Sequence, residues 1–159
     1  MSRNFPQSPE QSLLFSEEAP LITIIASEYN ASFVDAMLEQ TQQELRKLDS
    51  RTIIKVIRVP GALEIPLLVK LVAERHKSSA IIALGVIIRG ETAHADLIAE
   101  AITHALLNLS LDYCLPVIHE VLLLNNEEQA QVRCVNGPLY RGVEAARAAI
   151  GAIAATRFI

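Results

Sequence analysis

Continuous apolar runs alternate along this chain with segments in which apolar residues recur every three or four positions. A short continuous apolar run is typical of a strand that is buried on both faces of its sheet. Such runs predict four strands, at residues 21–26, 52–59, 80–88 and 116–124.

The segments between these strands predict helices. Helical spacing is found from Ser32 to Leu48, from about Pro66 to Arg75, from about 93 to 109, and from 143 to 157. Pro66 falls in the first turn of its helix, where proline is tolerated. Asn125 or Asn126 can cap a further short helix, and residues 135–142 predict an irregular loop.

This order of strands and helices predicts the fold. Alternating strands and helices form a parallel sheet with helices on both faces, joined by right-handed crossovers. The expected class is therefore α/β, with three layers around a four-stranded parallel sheet. Ligands bind at the carboxyl ends of the strands in such sheets, which would gather at one rim the residues 27–30, 61–64, 86–94 and 119–126.

The composition indicates extensive burial. Apolar residues make up 51% of the chain and the mean hydropathy is +0.31, so that either the sheet is buried on both faces or some surface lies against other subunits. A net charge of −4 gives no electrostatic footprint for nucleic acid. The apolar segments are too short or too interrupted to span a bilayer. We therefore expect neither nucleic acid nor a membrane as a partner.

The first twenty residues are expected to be a flexible leader, followed by one domain over residues 21–159. The leader has no apolar core of the signal-peptide type and carries Glu10, Glu17 and Glu18. Cys114 and Cys134 match no metal or redox spacing, which favours two buried thiols in a reducing compartment. A cytoplasmic location is the expectation.

The turn Gly90-Glu91-Thr92 is a candidate anion site. It joins the third strand to a helix whose free amides and dipole suit an anion, and glycine lets the backbone approach closely. Thr92 adds a hydroxyl, although an ordinary helix cap explains this residue equally well. Because the Glu91 carboxylate would repel an anion, its backbone amide is expected to face the ligand.

Two histidines lie near the predicted rim. His94, in the first turn of the helix, can exchange a proton near neutral pH, although a histidine at a helix start is often structural. His119, on the fourth strand, could line the pocket or could be half-buried.

Three further side chains could contact a ligand. Tyr29 presents a flat ring suited to stacking on a heterocycle, or is an ordinary exposed tyrosine. Arg133 and Arg141 are candidate anion clamps, because guanidinium binds phosphate in a bidentate manner, but surface arginines are common.

Three segments together resemble a known family. The stretches VPGALEIP, ALGVIIRGETAHADLI and NNEEQAQVR, at residues 59–66, 83–98 and 125–133, resemble in order and spacing the signature segments of lumazine synthase. The resemblance runs from about Leu21 to the C-terminus and implies a flavodoxin-like fold.

The resemblance also implies a reaction. It is the condensation of 5-amino-6-(D-ribitylamino)pyrimidine-2,4-dione with 3,4-dihydroxy-2-butanone 4-phosphate, which gives 6,7-dimethyl-8-ribityllumazine in the penultimate step of riboflavin biosynthesis. This transferase chemistry requires no metal and no redox cofactor.

Roles for individual residues follow from the same resemblance. Tyr29 would stack on the pyrimidine, whose edge would meet Val86, Ile87 and Ile88. The backbone of Ala62, Leu63 and Glu64 would hold the ribityl chain. Glu91 and Thr92 would bind the phosphate, His94 would transfer protons, and Arg133 would reach the phosphate from an adjacent subunit.

Two positions in the pocket depart from the family's usual residues. His119 stands where phenylalanine is usual, and Arg141 stands where lysine is usual. Both are included among the predicted substrate-binding residues. They also favour an alternative, namely a catalytically weak relative that binds flavin or lumazine. A flavodoxin-type electron carrier is disfavoured, because the turn SEYNAS after the first strand contains no glycine.

The family assembles as pentamers, sometimes paired or built into sixty-subunit shells, with active sites shared between neighbours. In shell-forming members the N-terminal segment adds a strand to a neighbour's sheet, which Pro6, Pro9 and Pro20 would hinder here. A homopentamer or a decamer is therefore expected.

Overall fold

The computed structural model describes residues 18–75, 77–137, 140–157 and 159. Four strands and five helices follow one another in these residues, with boundaries close to those that the sequence predicts. The strands are β1 (Leu21–Ser27), β2 (Ile53–Val59), β3 (Ala80–Ile88) and β4 (Val117–Leu124). The helices are α1 (Ala31–Leu48), α2 (Ile65–Arg75), α3 (His94–Asp112), α4 (Glu127–Ala130) and α5 (Arg141–Thr156).

The four strands form one parallel sheet in the order β2-β1-β3-β4. Ile24 pairs with Val56 on one side and with Ile82 on the other, and Ala83 pairs with His119. The two central strands are therefore β1 and β3, and their nearly unbroken apolar sequences agree with burial on both faces.

Two apolar layers cover the two faces of the sheet. On one face, α1 and α5 pack on Ile24 and Ile82 through residues such as Met37 and Ala149. On the other face, α2 and α3 pack on the neighbouring residues of the same strands, which are Ile25, Ile81 and Ala83. Successive strand residues point to opposite faces, so a continuous apolar run serves both layers. The fold is thus a three-layer, flavodoxin-like α/β/α arrangement, as predicted.

Two local expectations need correction. Cys114 is exposed, not buried, because it follows the end of α3 in a left-handed conformation with φ of 47°; Cys134 is buried, as expected. The expected loop at residues 135–142 is shorter, since a π-helical turn covers Gln131–Val135 and Arg141 already belongs to α5. Residues 138–139 of that loop lie outside the described residues.

The predicted leader falls mostly on residues 1–17, which also lie outside the described residues. Pro20 is described and is buried, and its carbonyl oxygen accepts a hydrogen bond from Ile53 N–H at 2.9 Å. Among the helices of the described residues, none combines the length and hydropathy that a membrane span needs.

Candidate active site

A pocket of about 390 Å³ opens at the carboxyl ends of β1, β2 and β3. The neighbouring strands β1 and β3 are followed by helices on opposite faces of the sheet, α1 after β1 and α3 after β3, and the two connections run in opposite directions. This divergence opens a crevice at the rim, where ligands bind in folds of this class. The lining residues are Tyr29, Gly61, Ala62, Leu63, Glu64, Val86, Ile87, Ile88, Gly90, Thr92, His94, Ala95 and Ile98.

Tyr29 is placed at the mouth of the pocket by its neighbour Asn30. Asn30 adopts a left-handed conformation with φ of 56°, which asparagine tolerates better than most residues, and its Nδ2 donates to Val86 O at 2.8 Å. Tyr29 N–H donates to Pro60 O at 3.0 Å, and the residue is 73% exposed. The ring is therefore free to contact a ligand. The role of Asn30 was not predicted from the sequence, where its signal was an asparagine directly between a strand and a helix.

The residues that follow β2 form one wall of the pocket. Residues Ala62–Glu64 form one turn of 3₁₀ helix, and Glu64 Oε2 accepts a hydrogen bond from Gly61 N–H at 2.9 Å. This contact holds the Glu64 carboxylate against its own turn.

The end of β3 supplies the predicted anion turn. Gly90, Thr92 and His94 line the pocket, whereas Glu91 is exposed beside it. Thr92 Oγ1 accepts a long hydrogen bond of 3.4 Å from His94 N–H, but the N-cap residue of α3 is Ala93, so Thr92 does not form the expected helix cap. The structure thus brings Tyr29, the 62–64 turn, the 86–88 segment, Thr92 and His94 together around one cavity.

Arg133 and Arg141 lie away from this pocket within one chain. Arg133 lines a separate cavity of about 400 Å³ with Asn126, Glu128, Gln129 and Val132. Arg141 forms an ion pair with Glu120, at 2.9 Å between Nε and Oε2, and donates also to Glu144. Neither guanidinium faces Tyr29 or His94 in this arrangement.

His119 also lies outside the pocket, half-buried against α3. Thr103 Oγ1 donates to Ala99 O at 2.8 Å, so that oxygen can only accept from His119 Nε2, also at 2.8 Å. Nδ1 accepts from Val121 N–H at 3.1 Å. Both ring nitrogens are therefore engaged, and the ring is the neutral tautomer with its proton on Nε2. Burial lowers the pKa of His119, and the nearby Arg141 lowers it further.

Glu120 is a buried carboxyl that the sequence analysis did not single out. It lies on the same face of β4 as Ile118 and Leu122, beneath the start of α5, and is 6% exposed. Burial raises the pKa of Glu120 to about 7, against the opposing effect of Arg141. A glutamate within the run VIHEVLLL was the sequence signal.

In the ranges that the structure describes, no group of three or more histidine, cysteine, aspartate or glutamate residues could hold a metal ion.

A family model and three relatives that match this chain carry the same name. The family model described as 6,7-dimethyl-8-ribityllumazine synthase matches residues 20–157. A protein of that name from a Polaromonas species is 41% identical over 130 residues, which is 81% of this chain and 82% of that protein. Another from Mycolicibacterium gilvum is 38% identical over 144 residues, covering 89% and 88% of the two chains. A third, from Stenotrophomonas maltophilia, is 35% identical over 138 residues, covering 86% and 89%.

Proposed function

Because the chain belongs to the 6,7-dimethyl-8-ribityllumazine synthase family, we propose that it carries out the family's condensation in the rim pocket. The substrates are 5-amino-6-(D-ribitylamino)pyrimidine-2,4-dione and 3,4-dihydroxy-2-butanone 4-phosphate. The products are 6,7-dimethyl-8-ribityllumazine, phosphate and water. The enzyme is a transferase of riboflavin biosynthesis.

The observation that carries this proposal is the set of residues that border one cavity. A cavity of about 390 Å³ is bordered by an exposed aromatic ring at Tyr29 and by a glycine-containing helix-start turn with a hydroxyl and an imidazole. The aromatic ring suits stacking on a heterocycle, and the helix-start turn suits binding of a phosphorylated ketone. We propose that the pyrimidine stacks on Tyr29 against Val86, Ile87 and Ile88.

The ribityl chain and the phosphate are assigned to the other residues that border the pocket. The ribityl chain, which carries several hydroxyl groups, is assigned to the backbone at Ala62, Leu63 and Glu64. The phosphate is assigned to the amides at Gly90 and Glu91 and to the Thr92 hydroxyl, at the positive end of α3.

The chemistry requires orientation and proton transfer. The substrate amine attacks the ketone and water is lost, giving an imine. Removal of a proton then allows phosphate to leave, and the enol that results takes up a proton at its terminal carbon to become a ketone. Attack of the ribitylamino nitrogen on this new carbonyl closes the ring with loss of a second water. His94, at the first residue of α3, is the group that we assign to these proton transfers. Holding both reactants in one cavity can supply about 7–11 kcal/mol of the barrier reduction.

We further propose that each site is completed by an adjacent copy in a pentamer or a decamer. Arg133 borders a different cavity in its own chain, so it would reach the phosphate of a neighbour's site. His119 and Arg141 could contribute to binding only in the same way. Several large apolar side chains are exposed, and contact with further copies would bury them: these are Leu63, Leu67, Leu97, Leu107 and Leu111.

The cytoplasm is the proposed location. Both described cysteines are free, which agrees with a reducing compartment.

The experiment is to mix both substrates with the purified protein and to follow the fluorescence of the lumazine product. We expect product to form at a rate proportional to the protein concentration. No product, together with tight binding of flavin or lumazine, would instead identify a binding protein.

A further inference from the structure

Arg89 connects three segments at the rim. Its Nε and Nη2 donate to Asp96 Oδ1 at 3.0 and 2.7 Å, and its Nη1 donates to Asn125 Oδ1. Its backbone N–H donates to Leu124 O at 2.8 Å. Arg89 therefore joins the end of β3 to the first turn of α3 and to the residues that follow β4.

The turn that begins at Arg89 has few other restraints. Residues 89–94 are exposed, and a Cβ placed on Gly90 would have no atom within 4 Å. Apart from the bonds of Arg89, the side-chain hydrogen bond described within this turn is the 3.4 Å contact between Thr92 and His94. Because glycine in open space permits many conformations, the position of Thr92 and His94 depends on how the ends of the turn are held.

Arg89 also compensates the negative charge of the Asp96 carboxylate. Asp96 lies two residues after His94, and its hydrogen bond with Arg89 lowers the pKa of its carboxyl. The same hydrogen bond raises the pKa of Arg89. An unpaired carboxylate in the first turn of α3 would repel a phosphate bound at Gly90 and Thr92, whereas a carboxylate paired with guanidinium does so much less.

Resting on the proposed function, we propose that Arg89 is a positioning residue for the phosphorylated substrate. Through Asp96 and Asn125 it holds the turn from Gly90 to His94 in the geometry that binds phosphate. We assign it no direct contact with the phosphate, since Arg89 is not among the residues that line the pocket and its guanidinium is held by Asp96 and Asn125.

Steady-state kinetics with each substrate varied in turn test this role. Arg89→Gln and Asp96→Asn should each raise KM for the phosphorylated ketone about 10-fold, because small displacements of a binding turn are costly. KM for the ribitylaminopyrimidine should stay within about two-fold, as for ordinary surface changes. The double variant should be no worse than Arg89→Gln alone, because that substitution already removes the contact with Asp96 as well as the contact with Asn125.

A matched control is available at the opposite edge of the sheet. Arg51, which is exposed, forms an ion pair at 2.8 Å with the largely covered carboxylate of Asp49 just before β2, and Arg51→Gln should leave both KM values unchanged. If Asp96→Asn instead lowered KM for the phosphorylated ketone, Arg89 would be a direct phosphate ligand and the proposal would be wrong. Additive effects in the double variant would also contradict it.

Amide hydrogen exchange provides a measurement that does not depend on turnover. Exchange in residues 90–97 should be about 10-fold faster in Arg89→Gln and Asp96→Asn, because local opening becomes easier, and unchanged in Arg51→Gln. Unchanged exchange in the rim variants would overturn the proposal. A wild-type protein that forms no product would overturn the proposed function alone, since the exchange rates would still report whether Arg89 fixes the turn.

Discussion

At the scale of single residues, the pocket combines an imidazole with an aromatic ring and a hydroxyl group. His94 is exposed at the first residue of α3 and faces the same cavity as Tyr29 and Thr92. Imidazole as a side-chain group is better suited to proton transfer than a tyrosine or threonine hydroxyl. The proposed division of labour is therefore proton transfer by His94 and binding by its neighbours.

This division predicts the effect of His94→Ala. The variant should lose about 10²-fold in kcat, in the range of general acid–base catalysis, while its sedimentation mass stays that of the wild type. The matched variant His94→Asn keeps a polar side chain but cannot exchange a proton in this pH range, and it should lose as much. If His94→Asn retained wild-type kcat, proton transfer by His94 would be excluded.

At the scale of elements, the sequence predicts most of the features that depend on the spacing of apolar residues. The four strands and the main helices follow from apolar spacing, and the rim pocket follows from where parallel strands end. The pairing of Arg141 with Glu120 does not follow, because it joins side chains 21 residues apart and leaves no periodic signal. The tautomer of His119 likewise depends on Thr103, on a different element. The left-handed backbone of Cys114, which follows α3 and is exposed, likewise leaves no signal in the apolar spacing.

The crossing of α1 and α5 predicts a pair of glycine variants with opposite effects. A Cβ on Gly142 would lie 2.3 Å from Met37 O and 2.8 Å from Gln40 Cβ, so Gly142→Ala should lower the free energy of unfolding by about 2–3 kcal/mol. Gly151, in the same helix, has open space around it, and Gly151→Ala should be neutral or stabilising by up to about 1 kcal/mol. Urea unfolding measures both. Equal effects of the two substitutions would show that helix propensity, and not the crossing, controls this element.

The buried Glu120 predicts a pH-dependent stability at the junction of β4 and α5. Its pKa is raised from 4.5 to about 7 by burial, so between these values the folded protein holds a proton that the unfolded chain releases. The stabilising contribution is complete below pH 4.5 and is lost as the pH rises through 7. Wild type should therefore lose about 3 kcal/mol relative to Glu120→Gln between pH 4.5 and 8.

Chemical denaturation at a series of pH values measures this difference. Glu39→Gln, on the exposed surface of α1, serves as the control and should follow the wild type at every pH. If the free energies of unfolding of wild type and Glu120→Gln changed in parallel with pH, this would show that Arg141 keeps Glu120 ionised throughout the range.

At the scale of the whole molecule, one chain carries the two parts of the proposed site in different places. Tyr29 and His94 face the rim cavity, whereas Arg133 borders another cavity. Exposed leucines on α2 and α3 supply apolar surface through which copies could associate. A shared site between neighbouring copies reconciles these observations.

A shared site predicts complementation between two defective variants. His94→Ala and Arg133→Ala should each be impaired alone, but when both are expressed together in equal amounts about a quarter of all interfaces should combine two intact halves. Activity per site should then rise above that of either variant by itself. The same two proteins, purified separately and mixed without exchange of subunits, provide the control. Should co-expression give only the average of the two single activities, each site would be built within one chain.

The strand order also has a consequence during synthesis on the ribosome. β1 is translated first but occupies an interior position, so its hydrogen-bonding edge toward β3 stays open until residues 80–88 have left the exit tunnel. An open edge rich in isoleucine pairs readily with other nascent chains. A translational pause between Ser27 and Ala80 would therefore favour aggregation more than a pause after Ile88.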